Sequence, residues 1–129
     1  MGGLHHVEIY VSNLQRSTDF WAWFLSELGY EPFQKWDEGR SWKFNDTYVV
    51  FVQTKEKNLG TPYNRSRVGL NHLAFHADSR NQVDELTERI RALGMKVLYE
   101  DRHPYAGGEG HYALYFEDPD RIKVEVVAP

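Results

Sequence analysis

The hydrophobic pattern along the chain changes period in a regular way, and it does so twice. Over residues 4–11 polar and apolar side chains alternate, with His6, Glu8 and Tyr10 on one face and Val7, Ile9 and Val11 on the other. Such a strand has one apolar side to bury. The alternation stops at Ser12-Asn13-Leu14-Gln15, whose Ser-x-x-Gln spacing predicts a capping box. Leu14, Phe20, Phe24, Leu25 and Leu28 then approximate a helical stripe that ends at Gly29. Three strands are expected next, at 31–36, 40–44 and 48–54, set off by the turn signals Asp37-Glu38-Gly39 and Asn45-Asp46.

The succession then returns. Leu70-Asn71-His72-Leu73-Ala74-Phe75-His76 matches Leu4-His5-His6-Val7-Glu8-Ile9-Tyr10, and Ser79 with Gln82 repeats the capping-box spacing. Val83, Leu86, Ile90 and Leu93 step by three, four and three to Gly94, a cleaner helical stripe than the first. Strands are expected at 95–100, 111–117 and 121–127, with a loop of glycines and Pro104 over 101–110 and a turn at Asp118-Pro119-Asp120. The chain therefore reads as one α+β domain, residues 1–129, made of two βαβββ modules at about 4–54 and 70–128. Residues 55–69, with Lys55, Lys57, Arg65 and Arg67, read as a solvated linker; the alternative is a lid whose cations meet an anionic substrate.

Composition narrows the chemistry. A net charge of -4 argues against binding nucleic acid through its phosphates, which leaves a small molecule as the expected partner. No apolar run reaches the ~18 residues of a membrane helix and no signal segment opens the chain, so no membrane role and a cytoplasmic location are expected. Cysteine is absent, so a bound metal would rely on His, Asp and Glu. The helix carrying Trp21 and Trp23 has more large apolar groups than one narrow stripe can bury, which predicts that at least one of the two meets a second surface or a partner subunit.

A single histidine on a strand is more often a hydrogen-bonded structural residue than a ligand. His6 and His72 are different because they fall at matching repeat positions, so folding the modules about a pseudo-twofold axis could bring both imidazoles to one site. Glu125 alternates with Val124 and Val126, on the side away from the helix. Two imidazoles and a carboxylate suit a borderline divalent cation and leave coordination positions open. Glu8 shares the face of His6 and is a candidate general base or orienting group, or else the partner of Lys123. Tyr10, His76 and Tyr115 are candidates to line the same cavity, with Tyr115 able to donate a proton to a developing oxyanion. His5 should point away from His6, and His103 and His111 read as exposed histidines beside the glycine loop.

With Leu-His-His-Val at His6, Leu-Asn-His-Leu at His72 and Glu125 after Tyr-Phe-Glu-Asp-Pro-Asp, nearly the whole chain resembles the vicinal oxygen chelate superfamily, which includes glyoxalases, epimerases, extradiol dioxygenases, fosfomycin-resistance enzymes and bleomycin-binding proteins. The resemblance implies a curved mixed sheet, a half-barrel with helices on its outer face, in which His6, His72 and Glu125 hold a divalent metal (Mn, Fe, Zn, Ni or Co). Glyoxalases usually take a fourth ligand where this chain has Phe51, which cannot ligate. The remaining three-ligand set is closest to the fosfomycin-resistance-like members. Fosfomycin itself is not the expected substrate, because the chain stops at Pro129 before the segment that carries their substrate-binding arginine. The extradiol pattern fits over Tyr115-Phe-Glu-Asp118-Pro119 but fails at Arg121, which stands where that group has glycine. The implied activity is metal-dependent isomerase, lyase, epoxide-opening or dioxygenase chemistry on a small oxygen-chelating substrate, in a homodimer. The alternative is a metal-free drug-binding protein whose cup is lined by Trp36, Trp42, Phe51 and Tyr115.

Overall fold

The structure, a computed structural model, describes residues 1–129 and contains two compact units, residues 1–62 and 63–129. In the first unit β1 (His6–Val11) leads into α1 (Leu14–Glu27), followed by β2 (Glu31–Trp36), β3 (Gly39–Phe44) and β4 (Thr47–Gln53). The sheet order is β1-β4-β3-β2, with β1 parallel to β4 and the other pairs antiparallel. The second unit holds β5 (His72–His76), α2 (Arg80–Ala92), β6 (Ala113–Glu117) and β7 (Lys123–Val127), in the sheet order β5-β7-β6. The class is α+β as expected. The strands form two separate mixed sheets, and neither closes on itself.

Both helices start and stop for local reasons. The N-cap of α1 is Asn13, whose Oδ1 accepts from Arg16 N at 3.0 Å, in place of the expected Ser12. Ser79 does cap α2, accepting from Gln82 N at 3.1 Å, while Gln82 reaches back to Asp78 N at 2.7 Å. Each helix ends on a glycine in the left-handed region, Gly29 (φ 90°) and Gly94 (φ 75°), where only the absence of Cβ makes the turn cheap.

The helix-facing sides of the sheets are the apolar ones that alternation predicts. In unit one, Phe51 stacks on Trp21 with centroids 4.7 Å apart, and Trp42 meets Phe51 edge-on at 5.9 Å. Trp21 is therefore core, not a contact for another surface. Trp23 is half-buried, with Nε1 donating to Glu27 at 3.0 Å. In unit two, Leu114, Phe116, Val124 and Val126 are fully buried, as are Val83 and Ile90 of α2.

The second module departs from the first after its helix. The expected strand at 95–100 is reduced to a single bridge, Val97 to Phe116, flanked by Leu98 N to Tyr115 O at 2.8 Å and Glu117 N to Lys96 O at 3.0 Å. Tyr99 ends the pairing because its φ of 58° turns the chain out of extended geometry, and its carbonyl accepts from Arg102 N and His103 N, each at 2.9 Å. In the stretch expected to be solvated linker, Arg65 is tied down by Glu117 Oε2 at 2.6 Å. Arg121 adopts a φ of 66°, the conformation a glycine would occupy without strain. Asp118 Oδ1 holds that turn by accepting from Asp120 N and Ile122 N, each at 2.8 Å.

Candidate metal centre

On the second unit's sheet the registers pair His72 with Lys123, Ala74 with Glu125 and Tyr115 with Glu125. Strand alternation then puts His72, His76, Lys123, Glu125 and Tyr115 on the face opposite α2. Glu125 is the centre of this face. It is only 4% exposed, yet three polar side chains reach it. His72 Nε2 lies 3.0 Å from Oε1, His111 Nε2 is in close contact with Oε2, and the Tyr115 hydroxyl donates to the same carboxylate. Burial, then the bond to Glu125, pushes the Tyr115 phenol up to about 12, so it remains a donor at neutral pH.

The two imidazoles meet the carboxylate in different ways. His72 Nδ1 is 2.7 Å from Asn71 Oδ1, which can only accept, so that nitrogen carries the ring proton. In the neutral ring Nε2 then has a lone pair, directed at a carboxylate oxygen 3.0 Å away. Two acceptors at that range are stable only with a cation between them, either a second ring proton or a metal. The separation is also what adjacent ligands on a first-row cation adopt, given bonds of about 2.1 Å to nitrogen and oxygen. His72 and Glu125 therefore fit a divalent metal by chemistry and by spacing. They are a pair only: His111 also reaches Glu125, but no group of three or more His, Asp or Glu side chains is arranged so that it could hold a metal ion.

The first unit carries His6, Glu8 and Tyr10 exposed on the face of β1 opposite α1. The His6 ring stacks on Tyr48 at 4.7 Å, and its Nδ1 is 2.8 Å from His5 Nδ1. His5 thus turns toward His6 and not away, because β1 begins at His6 and the alternation that would separate the rings does not reach back to His5. Trp36, 42% exposed, lies over Gly39, where a Cβ would come within 2.2 Å of the indole. Trp42 and Phe51 do not line an open face. Their registers with Val49 and Ile9 put them on the helix side, and both are buried.

Lys123 Nζ donates to Tyr99 Oη at 2.9 Å and sits 4.9 Å and 5.2 Å from the centroids of Tyr99 and Tyr115. His76 is exposed at the end of β5. Sequence reasoning missed His111 and Tyr99. Both lie at the ends of strands expected at 95–100 and 111–117, but β6 begins only at Ala113 and the earlier stretch pairs only at Val97, so both stand in irregular backbone beside the Pro- and Gly-rich loop.

The profile of the Glyoxalase/Bleomycin resistance protein/Dioxygenase superfamily matches residues 3–126. YqjT, an uncharacterized protein of Bacillus subtilis strain 168, is 62% identical over 126 residues, 98% of each chain. A glyoxalase candidate from Bacillus halodurans, known from a crystal structure, superposes with a TM-score of 0.97 at 58% identity, covering 99% of this chain and 96% of its own. The fosfomycin resistance protein FosX of Listeria monocytogenes, crystallised as a variant with Mn(II) and a dihydroxypropylphosphonic acid, gives a TM-score of 0.71 at 24% identity, covering 99% and 92%. At that identity the likeness is one of fold.

Proposed function

Because the chain belongs to the glyoxalase/bleomycin resistance protein/dioxygenase superfamily, we propose that it is a metal-dependent enzyme acting on a small substrate with adjacent oxygens. The observation that carries this reading is the 3.0 Å approach of His72 Nε2 to the buried Glu125 Oε1, the spacing that two adjacent ligands of one divalent cation adopt. Mn(II) in FosX supports a divalent cation as the occupant. His6 is the third proposed ligand, on the strength of its matching repeat position. A divalent cation held by these residues would act as a Lewis acid toward the substrate's oxygens.

The chain's own side chains supply the rest. Tyr115, a donor at neutral pH, gives a proton or a hydrogen bond to a developing oxyanion. Glu8, exposed on the face of His6, takes the role of general base. Lys123 offers its ammonium to an anionic group of the substrate, with Tyr10, Trp36 and His76 as further contacts. Isomerisation, lyase and epoxide-opening reactions share this demand for an oxyanion partner and a proton carrier. The proposed setting is a cytoplasmic homodimer; no helix of the chain is long and apolar enough to cross a membrane.

The test is metal content by plasma mass spectrometry of wild type and Glu125→Ala, purified side by side without chelator. Near-stoichiometric metal that disappears in the variant is the expected result. A wild type that is empty and takes up none of Mn, Fe, Zn, Ni or Co would overturn the reading and leave a metal-free binding protein in its place.

A further inference from the structure

Glu125 has two histidine neighbours, and each meets a different oxygen of the carboxylate. The carboxylate can only accept, so the close contact between His111 Nε2 and Oε2 needs the proton on Nε2. The His111 lone pair then sits on Nδ1, on the other side of the ring. At His72 the tautomer is reversed, because Asn71 takes the Nδ1 proton. His111 thus spends its Nε2–H on the carboxylate, whereas His72, with Nδ1 bound to Asn71, has in its neutral form an Nε2 lone pair on the side of Oε1 that a metal can take up.

From this asymmetry we infer that His111 is a positioning residue: by holding Oε2 it turns Oε1 of Glu125 toward His72 and presents a single oxygen to the metal. The inference rests on the metal-centre reading given above. It also accounts for the glycine loop, which the proposed chemistry otherwise leaves without a role. Gly108 and Gly110 have φ of 125° and 77°, and His111 N bonds back to Gly108 O at 3.1 Å, so the loop folds tightly just ahead of the ring. Gly107 packs directly on the ring. A Cβ there would come within 2.4 Å of His111 Cδ2 and 2.5 Å of the Tyr115 hydroxyl. The absence of a side chain at Gly107 lets both groups reach Glu125 together.

A residue of this kind acts on metal affinity without entering the coordination shell, and loss of such partners typically weakens binding about 10–100-fold. The experiment is calorimetric titration of Mn(II) into wild type, His72→Ala, His111→Ala, His111→Gln, Tyr115→Phe and Gly107→Ala, with circular dichroism to confirm folding. Electron spin-echo spectra of the Mn(II) complexes would count coordinated imidazoles. His111→Ala should lose about 10–100-fold in affinity with the imidazole count unchanged. His111→Gln, whose amide can donate to Oε2, should recover much of that loss. Gly107→Ala should weaken binding by more than Tyr115→Phe does, because it displaces the His111 ring as well.

Wild-type affinity in both His111 variants would overturn the inference while leaving the metal centre standing. So would the loss of one imidazole from the spectrum of His111→Ala, which would make His111 a ligand. If wild type binds no Mn(II) and His72→Ala is indistinguishable from it, the metal-centre reading itself fails. If His111→Ala does not fold, His111→Gln and Gly107→Ala decide the matter by the same two measurements.

Discussion

Phe51→Ala separates a pocket wall from a core residue. Phe51 is 1% exposed, stacks on Trp21 at 4.7 Å and meets Trp42 at 5.9 Å, so truncation removes a ring from the middle of three packed aromatics. Removal of a buried phenylalanine side chain costs about 3–5 kcal/mol, part lost transfer energy and part cavity. The rigid neighbours Trp21 and Trp42 can collapse little into the space, which favours the upper half of that range. For 129 residues the unfolding entropy is roughly 270 cal/mol/K, so the expected fall in Tm is about 15–18 °C. Circular dichroism melts, repeated by urea titration followed through tryptophan fluorescence, would measure it. Phe33→Ala is the control: Phe33 is 47% exposed and should change stability by less than about 1 kcal/mol. A Phe51→Ala protein melting within about 4 °C of wild type would refute the burial argument and return Phe51 to the open face.

Arg65→Ala should destabilise by about 2 kcal/mol, because Glu117 is left buried with only Arg121 Nε at 3.6 Å to compensate. Removing Glu117 as well should restore part of the loss, and a double-mutant cycle in urea that shows no coupling would exclude the pair as a structural tie. His103 should titrate below its ordinary 6.5, since burial first and the nearby Arg91 guanidinium second disfavour its charged form. The unfolded chain then binds the extra proton more readily, so this contribution to stability is complete above pH 6.5 and is lost as pH falls through the lower folded value. A proton NMR titration giving His103 an ordinary or raised value would contradict this, as would stability that rises on acidification to the same extent in wild type and His103→Ala.

Much of the fold was legible in the sequence because it is written in periods. Alternation in the first strand assigned His6, Glu8 and Tyr10 to one face, and the steps of three and four marked α2 to within a residue or so of Arg80–Ala92. The two leucine–glycine pairs located both helix ends. Each of these signals is local, carried by backbone geometry that a few neighbouring residues dictate. At His5, Tyr99 and His111 the alternation was read one or two residues too far, because the pairing that enforces it stops short of them.

What the sequence settled by itself is which residues alternate, where helices stop, and that Glu125 lies on the side away from α2. The tertiary structure decided which aromatics are core. Trp42 and Phe51 look like pocket residues by type, but register places them beside Val49 and Ile9 under α1. It also decided who meets Glu125. His72 arrives by strand pairing, His111 by a loop whose glycines leave room for its ring, and Tyr115 from the adjacent strand. A proton on His72 Nδ1 and another on His111 Nε2 follow from what each nitrogen touches. Contacts between residues distant in sequence depend on the folded chain, and spacing along the chain does not encode them.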